Sequence, residues 1–434
     1  MRMVDVIIKK RAGECHSQEE IDFIIDGIKH DRIPDSQISA WLMAVCFKGM
    51  TFDECAYLTK AMASSGDILD LSSLGEFVID KHSTGGVGDK TTLIIAPLLA
   101  AAGLPVAKLS GRGLGYTGGT IDKLEAIPGF NPALELEDFI KQVKTIGTAV
   151  VSQTAHLAPA DGKIYALRDV TGTVDSIPLI ASSVVSKKIA SGANVIILDV
   201  KCGSGAFMKN IEDAEELSTV MVEVGKKLNR RISAVITSME QPLGNGIGNS
   251  LEVVESIKTL QGKGPEDLTE LCLYLAGMAL IKANKAKNIE EAKNILRKYL
   301  DNGTAFNKFR DMVEAQGGNV EFIDNPDKFT SAKYIYEYKS EKNGYISKLD
   351  ALSIARASKI LGAGRSKKGD EIDYAVGVVL SQKIGAKIQK GDTLAEIHSN
   401  SEVLLPEAIE HLRRGFEFSE ILPEIPALVY KIIE

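Results

Sequence analysis

Apolar residues recur at helical spacing through the first 65 positions of the chain. Ile21, Ile24, Ile25 and Ile28 line one face behind Ser17 and Glu20, which stand in the capping-box pattern. After Pro34 a second stripe runs Ile38, Trp41, Leu42, Val45. Thr51 and Glu54 open a third capped helix that carries Leu58 and Met62. Short links between such helices predict a small packed bundle, with Trp41 in its core or at a subunit interface.

The pattern changes at Ser64-Ser65-Gly66. Beyond it, short apolar runs alternate with helical stretches. Phe77–Ile79, Pro105–Lys108, Ala149–Val151, Val195–Val200 and Ala234–Ile236 read as strands. Alternation of this kind predicts an α/β domain with a mainly parallel sheet, whose ligands bind beyond the carboxyl ends of the strands. The last hundred residues differ again. Gly344-Tyr345-Ile346 and the stretch 372–397 read as short strands and turns, and "GAKIQKGDTLAEIHS" is similar to the hammerhead β module of lipoyl domains. A lysine in a tight hairpin is missing from it, so a structural α+β subdomain is expected.

Composition narrows the class. The chain has 434 residues, 44% hydrophobic and 25% charged, which points to two or more globular domains. A net charge of −7 disfavours a nucleic-acid partner. Cysteines at 15, 46, 55, 202 and 272 are odd in number and irregular in spacing, the pattern of reduced thiols in a cytoplasmic protein. The start, Met1 to Arg11, shows no apolar signal core. The longest apolar stretch, Leu93 to Ala107, is broken by Pro97, Gly103 and Pro105, so no membrane span is expected.

Two glycine-rich loops carry candidate chemistry. Asp80 to Thr92, "DKHSTGGVGDKTT", follows a strand and precedes an apolar helix. Glycines let backbone N–H groups turn toward an anion, the helix start adds partial positive charge, and Lys81, Ser83, Thr91 and Thr92 add donors. Asp89 separates Gly88 from Lys90, so this is no Walker A loop. A plain polar turn explains one or two of these glycines but not the whole set. The second loop runs from Lys108 to Thr120. Gly113, Gly115 and Gly118 satisfy G-x-G-x-x-G, yet no helix opens directly after the strand, and a second anion loop fits better than a dinucleotide site. His82, with an ordinary pKa of ~6.5, reads as an acid or a substrate contact. His16, His30, His398 and His411 read as surface residues. Ser183 and Lys187 share a helix face four residues apart, and Arg168 could join them against a planar heterocycle. The spacing leaves an ordinary charged surface helix equally open.

These loops, together with "ALRDVTGTVDSIPLIASSVVSKKIA", "DVKCGSGAFM", "QPLGNGIGNSLEV" and "LGAGRSKKGDEIDYAVGVVL", closely resemble the thymidine and pyrimidine-nucleoside phosphorylases. The similarity runs essentially end to end. It implies a helical, base-binding and dimer-forming domain of residues 1–65 and 163–193. It implies an α/β phosphate-binding domain of residues 75–155 and 195–332, and a C-terminal α+β subdomain of residues 333–434. The implied reaction is phosphorolysis of uridine, deoxyuridine and thymidine by inorganic phosphate, in pyrimidine salvage, by a homodimer without an organic cofactor. The resemblance places phosphate on Lys81, Ser83, Thr92, Lys108, Ser110 and Thr120. It places the base on Arg168, Ser183 and Lys187, with His82 catalytic and Leu114 and Ile180 as apolar walls.

Three positions modify that expectation. Lys108 stands where thymidine-specific relatives look to have methionine, and a lysine can donate to a ribose 2′-hydroxyl. Tyr116 replaces a usual histidine. Lys90 replaces a usual threonine beside the positions implied to hold a potassium ion, namely Gly88, Leu243, Gly246 and Glu255. An ammonium there would repel the ion or take its place, so the site is expected to be altered or lost. Competing readings are a thymidine-restricted phosphorylase, a phosphoribosyltransferase of the anthranilate type, and a non-catalytic regulator that binds nucleoside or phosphate.

Overall fold

The structure is a computed structural model, and it describes residues 1–113, 118–154, 156–365, 367 and 369–434. Four helices open the chain: α1 (Met3–Arg11), α2 (Gln18–Lys29), α3 (Asp35–Lys48) and α4 (Phe52–Ala63). Both expected capping boxes are present, Ser17 with Glu20 and Thr51 with Glu54. Each satisfies two N–H groups that the first turn of a helix leaves without partners. Trp41 is wholly buried, and its indole N–H donates to His16 Nε2 at 3.1 Å. His16 is therefore a core residue, not a surface one, because a buried indole needs an acceptor. His398 is also largely enclosed, beside Glu396.

The large domain is built on a six-stranded sheet. Its strands are β1 (Ile79–Ser83), β2 (Val106–Ser110), β3 (Thr148–Ser152), β4 (Val195–Cys202) and β5 (Arg231–Ser238), all parallel, with Val429–Ile433 added antiparallel at one edge. The order is β5-β4-β1-β2-β3, with the C-terminal strand beside β5. Helices α5 (Thr91–Ala101), α6 (Thr120–Glu125) and α7 (Leu136–Ile146) connect β1, β2 and β3.

The chain then returns to the helical bundle. In α8 (Pro159–Thr171) and α9 (Ile177–Ala190), Ala160, Ile164 and Leu179 share one apolar cluster with Ile21, Trp41 and Leu58. Helix α9 also reaches the sheet, where Val185 and Ile189 pack with Ile196 and Leu198 of β4. The bundle and the sheet thus meet along α9. Helix α10 (Ile211–Lys227) links β4 to β5, and α11 (Asn249–Leu260) follows β5 on the α5 side of the core.

The C-terminal part is α+β, with a three-stranded and a four-stranded sheet. Its boundary is less clean than a cut at residue 333 implies. Gly246–Ile247 pairs antiparallel with Val378–Val379 of the C-terminal sheet, while Val429–Ile433 joins the main sheet. Each part completes an edge of the other, which also covers exposed strand edges. Among the described residues no helix is long and apolar enough to cross a membrane.

Candidate active site

The strand order steps one way from β1 to β2 and β3, and the other way through β4 to β5. The crevice at such a reversal lies beyond the carboxyl ends of β1 and β4. A cleft of about 430 Å³ opens there. One wall is His82, Ser83, Gly85, Gly86, Thr92 and Ser110, and the opposite wall is Arg168, Ile180, Ser183 and Lys187.

The first loop starts later than its sequence suggests. Asp80 to Ser83 belong to β1, and the turn proper runs from Thr84 to Lys90 before α5 opens at Thr91. Charged residues disguise this strand, but each charge is paired. Lys81 Nζ lies 3.0 Å from Asp199 Oδ2 and donates to Thr91 Oγ1 at 2.5 Å. Lys201 Nζ reaches the same Asp199 oxygen at 2.8 Å. Thr91 therefore faces inward, while Thr92 lines the cleft. Ser83 Oγ accepts from the Gly85 N–H at 3.1 Å and holds the glycine turn in place.

Lys108 and Ser110 likewise stand on β2 and not in the second loop. Lys108 Nζ donates to Asp80 Oδ1 at 2.8 Å and to the Lys81 carbonyl at 2.7 Å. Lys188 meets the other oxygen of Asp80 at 2.9 Å. The second loop is tied down by Asp122, which accepts from the Gly113 N–H, Arg112 and Arg365. Lys123 links the two loops, donating to the carbonyls of Asp89 at 2.7 Å and Gly118 at 3.2 Å. Thr120, the first residue of α6, lines the cleft. Leu114 and Tyr116 lie outside the described residues.

On the helical wall, Lys187 Nζ donates to Ser183 Oγ at 3.1 Å and pairs with Asp161 at 2.5 Å. Arg168 is buried, and its guanidinium donates to the carbonyls of Thr173, Val174 and Leu179. Burial pushes its pKa down, yet at neutral pH a guanidinium stays charged. Two of its five N–H bonds fix the loop between α8 and α9 and a third holds the first turn of α9, so the structure brings Arg168, Ser183 and Lys187 to one wall.

The field in the cleft is positive. Burial, then Lys188, Lys108, Lys81 and Lys187, hold His82 well below its ordinary pKa. The ordinary value of ~6.5 thus does not describe it, and the ring is neutral at neutral pH. Burial likewise lowers the Lys108 pKa to about 7, against the opposing pull of Asp80. For Asp89, burial alone would raise the pKa, but Lys81, Lys201 and Lys123 bring it well below the usual carboxylate range.

Behind the first loop, Lys90 Nζ donates to Gly246 O at 2.7 Å, Leu243 O at 3.1 Å and Glu255 Oε2 at 2.5 Å. The Gly88 carbonyl accepts from the main-chain N–H of Lys90 at 2.9 Å, and its Cα lies against the Leu243 carbonyl. Three of the four positions implied to hold potassium, Leu243, Gly246 and Glu255, therefore take the three N–H bonds of an ammonium, which leaves them no fit for the ion.

Residues 4–66 match the helical bundle domain of the glycosyl transferase family, and residues 75–306 match its a/b domain. Residues 345–419 match the pyrimidine nucleoside phosphorylase C-terminal domain. The chain is 53% identical to the pyrimidine-nucleoside phosphorylase of Staphylococcus haemolyticus over 433 residues, covering 100% of both. It is 52% identical to that of Staphylococcus aureus and 50% to that of Staphylococcus epidermidis, again over 433 residues and 100% of both chains. The chain belongs to the pyrimidine-nucleoside phosphorylase family. Anthranilate phosphoribosyltransferase from Thermus thermophilus shares the fold, with a TM-score of 0.61 at 20% identity over 72% of this chain and 99% of the other.

Several residues that shape this phosphorylase-family cleft escaped the reading of the sequence. Asp80, Asp199, Lys188 and Lys201 set its charge, and Asp161 aims Lys187. The available signal was charge inside apolar runs. "VIILDVKC" is buried along its whole length, so its Asp and Lys had to be paired.

Proposed function

We propose that the chain is a pentosyltransferase that cleaves uridine, deoxyuridine and thymidine with inorganic phosphate, releasing the base and (deoxy)ribose 1-phosphate. The observation that carries this reading is one cleft with two unlike walls. One wall is a glycine-rich turn backed by buried lysines, suited to a phosphate dianion. The other presents Arg168, Ser183 and Lys187, donors suited to the carbonyl oxygens of a pyrimidine.

In this reading Lys81, Ser83, Thr92, Ser110 and Thr120 surround phosphate, with Lys108 beside the sugar. A phosphate oxygen bonds to C1′ as the C1′–N1 bond breaks, and the bonding electron pair leaves on the base. Donors already aimed at the base oxygens stabilise that charge without reorganising. Holding phosphate and nucleoside on facing walls removes most of the entropic cost of their encounter. A neutral His82 donates a hydrogen bond to the leaving base. The bound dianion offsets the lysine field and raises the His82 pKa, so the imidazolium, the form that can give a proton to the leaving base, becomes accessible. Ile180 supplies an apolar wall.

A cytoplasmic location fits the five free thiols, of which three are buried. A homodimer through the helical domain fits the exposed apolar residues Val4, Ile8, Phe47 and Val170, which lie on the neighbouring helices α1, α3 and α8. The deciding experiment measures uracil release from uridine with and without inorganic phosphate. Phosphate-dependent release with ribose 1-phosphate formed is expected. Absence of release from every pyrimidine nucleoside tested would refute the reading and favour a binding protein.

A further inference from the structure

We infer that Lys90 is a built-in monovalent cation, a covalently attached ammonium that does permanently what an exchangeable ion would do in the same nest of oxygens. Three observations meet at this point. First, the donor set is that of a cation site, with two backbone carbonyls and a carboxylate within 3.1 Å of one Nζ that has no exposed surface. An ammonium has three N–H bonds, and here each has an acceptor. Second, the backbone is shaped for close approach. Gly244 has φ +66°, and a Cβ there would sit 2.3 Å from Glu255 Oε2 and 3.0 Å from Lys90 Nζ. Gly88 has φ +69°, and a Cβ there would sit 2.4 Å from Leu243 O. Neither position tolerates a side chain, so the nest closes round the ammonium.

Third, the location joins elements that are distant in sequence. Lys90 is the residue before α5, at the end of the glycine turn. Leu243 and Gly246 belong to the segment that leaves β5 and pairs with the C-terminal sheet. Glu255 lies on α11, and also accepts from the N–H groups of Asn245 and Gly246. A positive group at a helix start is unfavourable to the helix dipole. Its retention here is offset by Glu255, with Glu252 and Asp267 adding to the attraction. Lys383 bonds to Asp267 at 2.5 Å and shares that carboxylate, so Glu255 carries the main attraction for Lys90. The ammonium thus fastens the turn to the sheet junction whatever ions are in solution. Position 90 sets whether that fastening is fixed or ion-dependent, because removing the amine leaves the same oxygens facing an empty space.

The test compares the full-length protein with Lys90→Thr, purified in potassium chloride and exchanged into choline chloride at equal ionic strength. Melting temperature is the first readout, because it does not depend on the substrate, and phosphorolysis is the second. The original protein is expected to melt at the same temperature in potassium and in choline. Lys90→Thr is expected to melt lower in choline and to regain about 2–6 °C as potassium is titrated in, saturably, since an ion at 100 times its dissociation constant shifts unfolding about 100-fold. Rubidium or ammonium should substitute. A potassium-specific rise in melting temperature for the original protein would overturn the inference, and that arm requires no variant to fold. Lys90→Thr that responds to potassium no more than to choline would overturn it as well. Failure of turnover in every salt, with the thermal pattern intact, would bear on the proposed reaction and not on this site.

Discussion

Replacing Lys108 by methionine tests how the cleft recognises the sugar. With phosphate bound, which favours its ammonium form, Lys108 Nζ has three N–H bonds, of which Asp80 and the Lys81 carbonyl take two. The remaining one is free to meet a ribose 2′-hydroxyl, while deoxynucleosides offer no partner. A hydrogen bond from a charged donor contributes about 1.5–3 kcal/mol, or about 10- to 150-fold in kcat/KM. That loss should fall on uridine alone. A second loss is shared by all substrates. Asp80 is fully buried, and without Lys108 it keeps Lys188 at 2.9 Å as its ammonium partner. Stripping one partner from a buried ionic group costs up to about 3–5 kcal/mol, and the remaining pair should keep the stability loss below that.

The assay is therefore a ratio. Uridine, deoxyuridine and thymidine are compared at saturating phosphate, with the melting temperature recorded for each protein. Uridine and deoxyuridine differ only at the 2′ position, and deoxyuridine and thymidine only at the C5 methyl. Lys108→Met should cut the uridine to deoxyuridine ratio at least 10-fold, as a charged hydrogen bond of about 1.5 kcal/mol requires, and leave the deoxyuridine to thymidine ratio unchanged. Equal losses on all three substrates would refute the reasoning and reduce Lys108 to a structural partner of Asp80.

Two further outcomes follow from the same geometry. Phosphate binding at pH ~8 should take up a fraction of a proton, because a dianion raises the pKa of Lys108, about 7 when unliganded, and of His82, held low by burial and by four lysines. Affinity for phosphate should then fall as pH rises through this range, and calorimetric heats that do not change between buffers of different ionisation enthalpy would count against it. Lys187→Met removes the donor that Asp161 aims at Ser183, and should lower kcat/KM for every pyrimidine nucleoside by about 10- to 100-fold, within the range of a charged hydrogen bond, with KM for phosphate little changed. A raised phosphate KM with unchanged nucleoside kinetics would assign Lys187 to the other wall.

The parts legible in the sequence were those set by local rules. The capping boxes at Ser17 and Thr51 and the Ile21 to Ile28 stripe lie where periodicity put them, as do strands β2 to β5. The apolar run Phe77–Ile79 points to a strand that ends too early, because Lys81, His82 and Ser83 look like loop residues until Asp199 and Lys201 are beside them. His16 looked like a surface residue because nothing local shows that the Trp41 indole needs it. The packing of α8 and α9 against the first four helices has no local signal either. Ile164 and Leu179 are ordinary helix residues whose partners stand more than a hundred positions away. The edge strand at 246–247 is too short to stand out, and nothing local in Val429–Ile433 shows that it pairs with β5 of the main sheet.

Lys90 and Lys108 show what burial does to one residue type in two settings. Burial alone disfavours the charged form of both. Lys90 shares its nest with Glu255 and two carbonyls, and the Glu255 and Glu252 carboxylates outweigh burial, so its pKa is raised and its charge is permanent. Lys108 shares Asp80 with Lys188, while Lys81 and Lys201 share Asp199. With Asp89 added, four ammoniums face three carboxylates around one cleft. In a medium of low dielectric that surplus is costly, and it is relieved by lowering the pKa of Lys108 and keeping His82 neutral. An incoming anion relieves it better. A net charge of −7 is thus compatible with an anionic substrate, because the surplus that matters is counted over a few ångströms. The local charge balance also gives the two lysines different roles. The balanced ammonium of Lys90 holds structure, and the unbalanced one of Lys108 answers to the ligand.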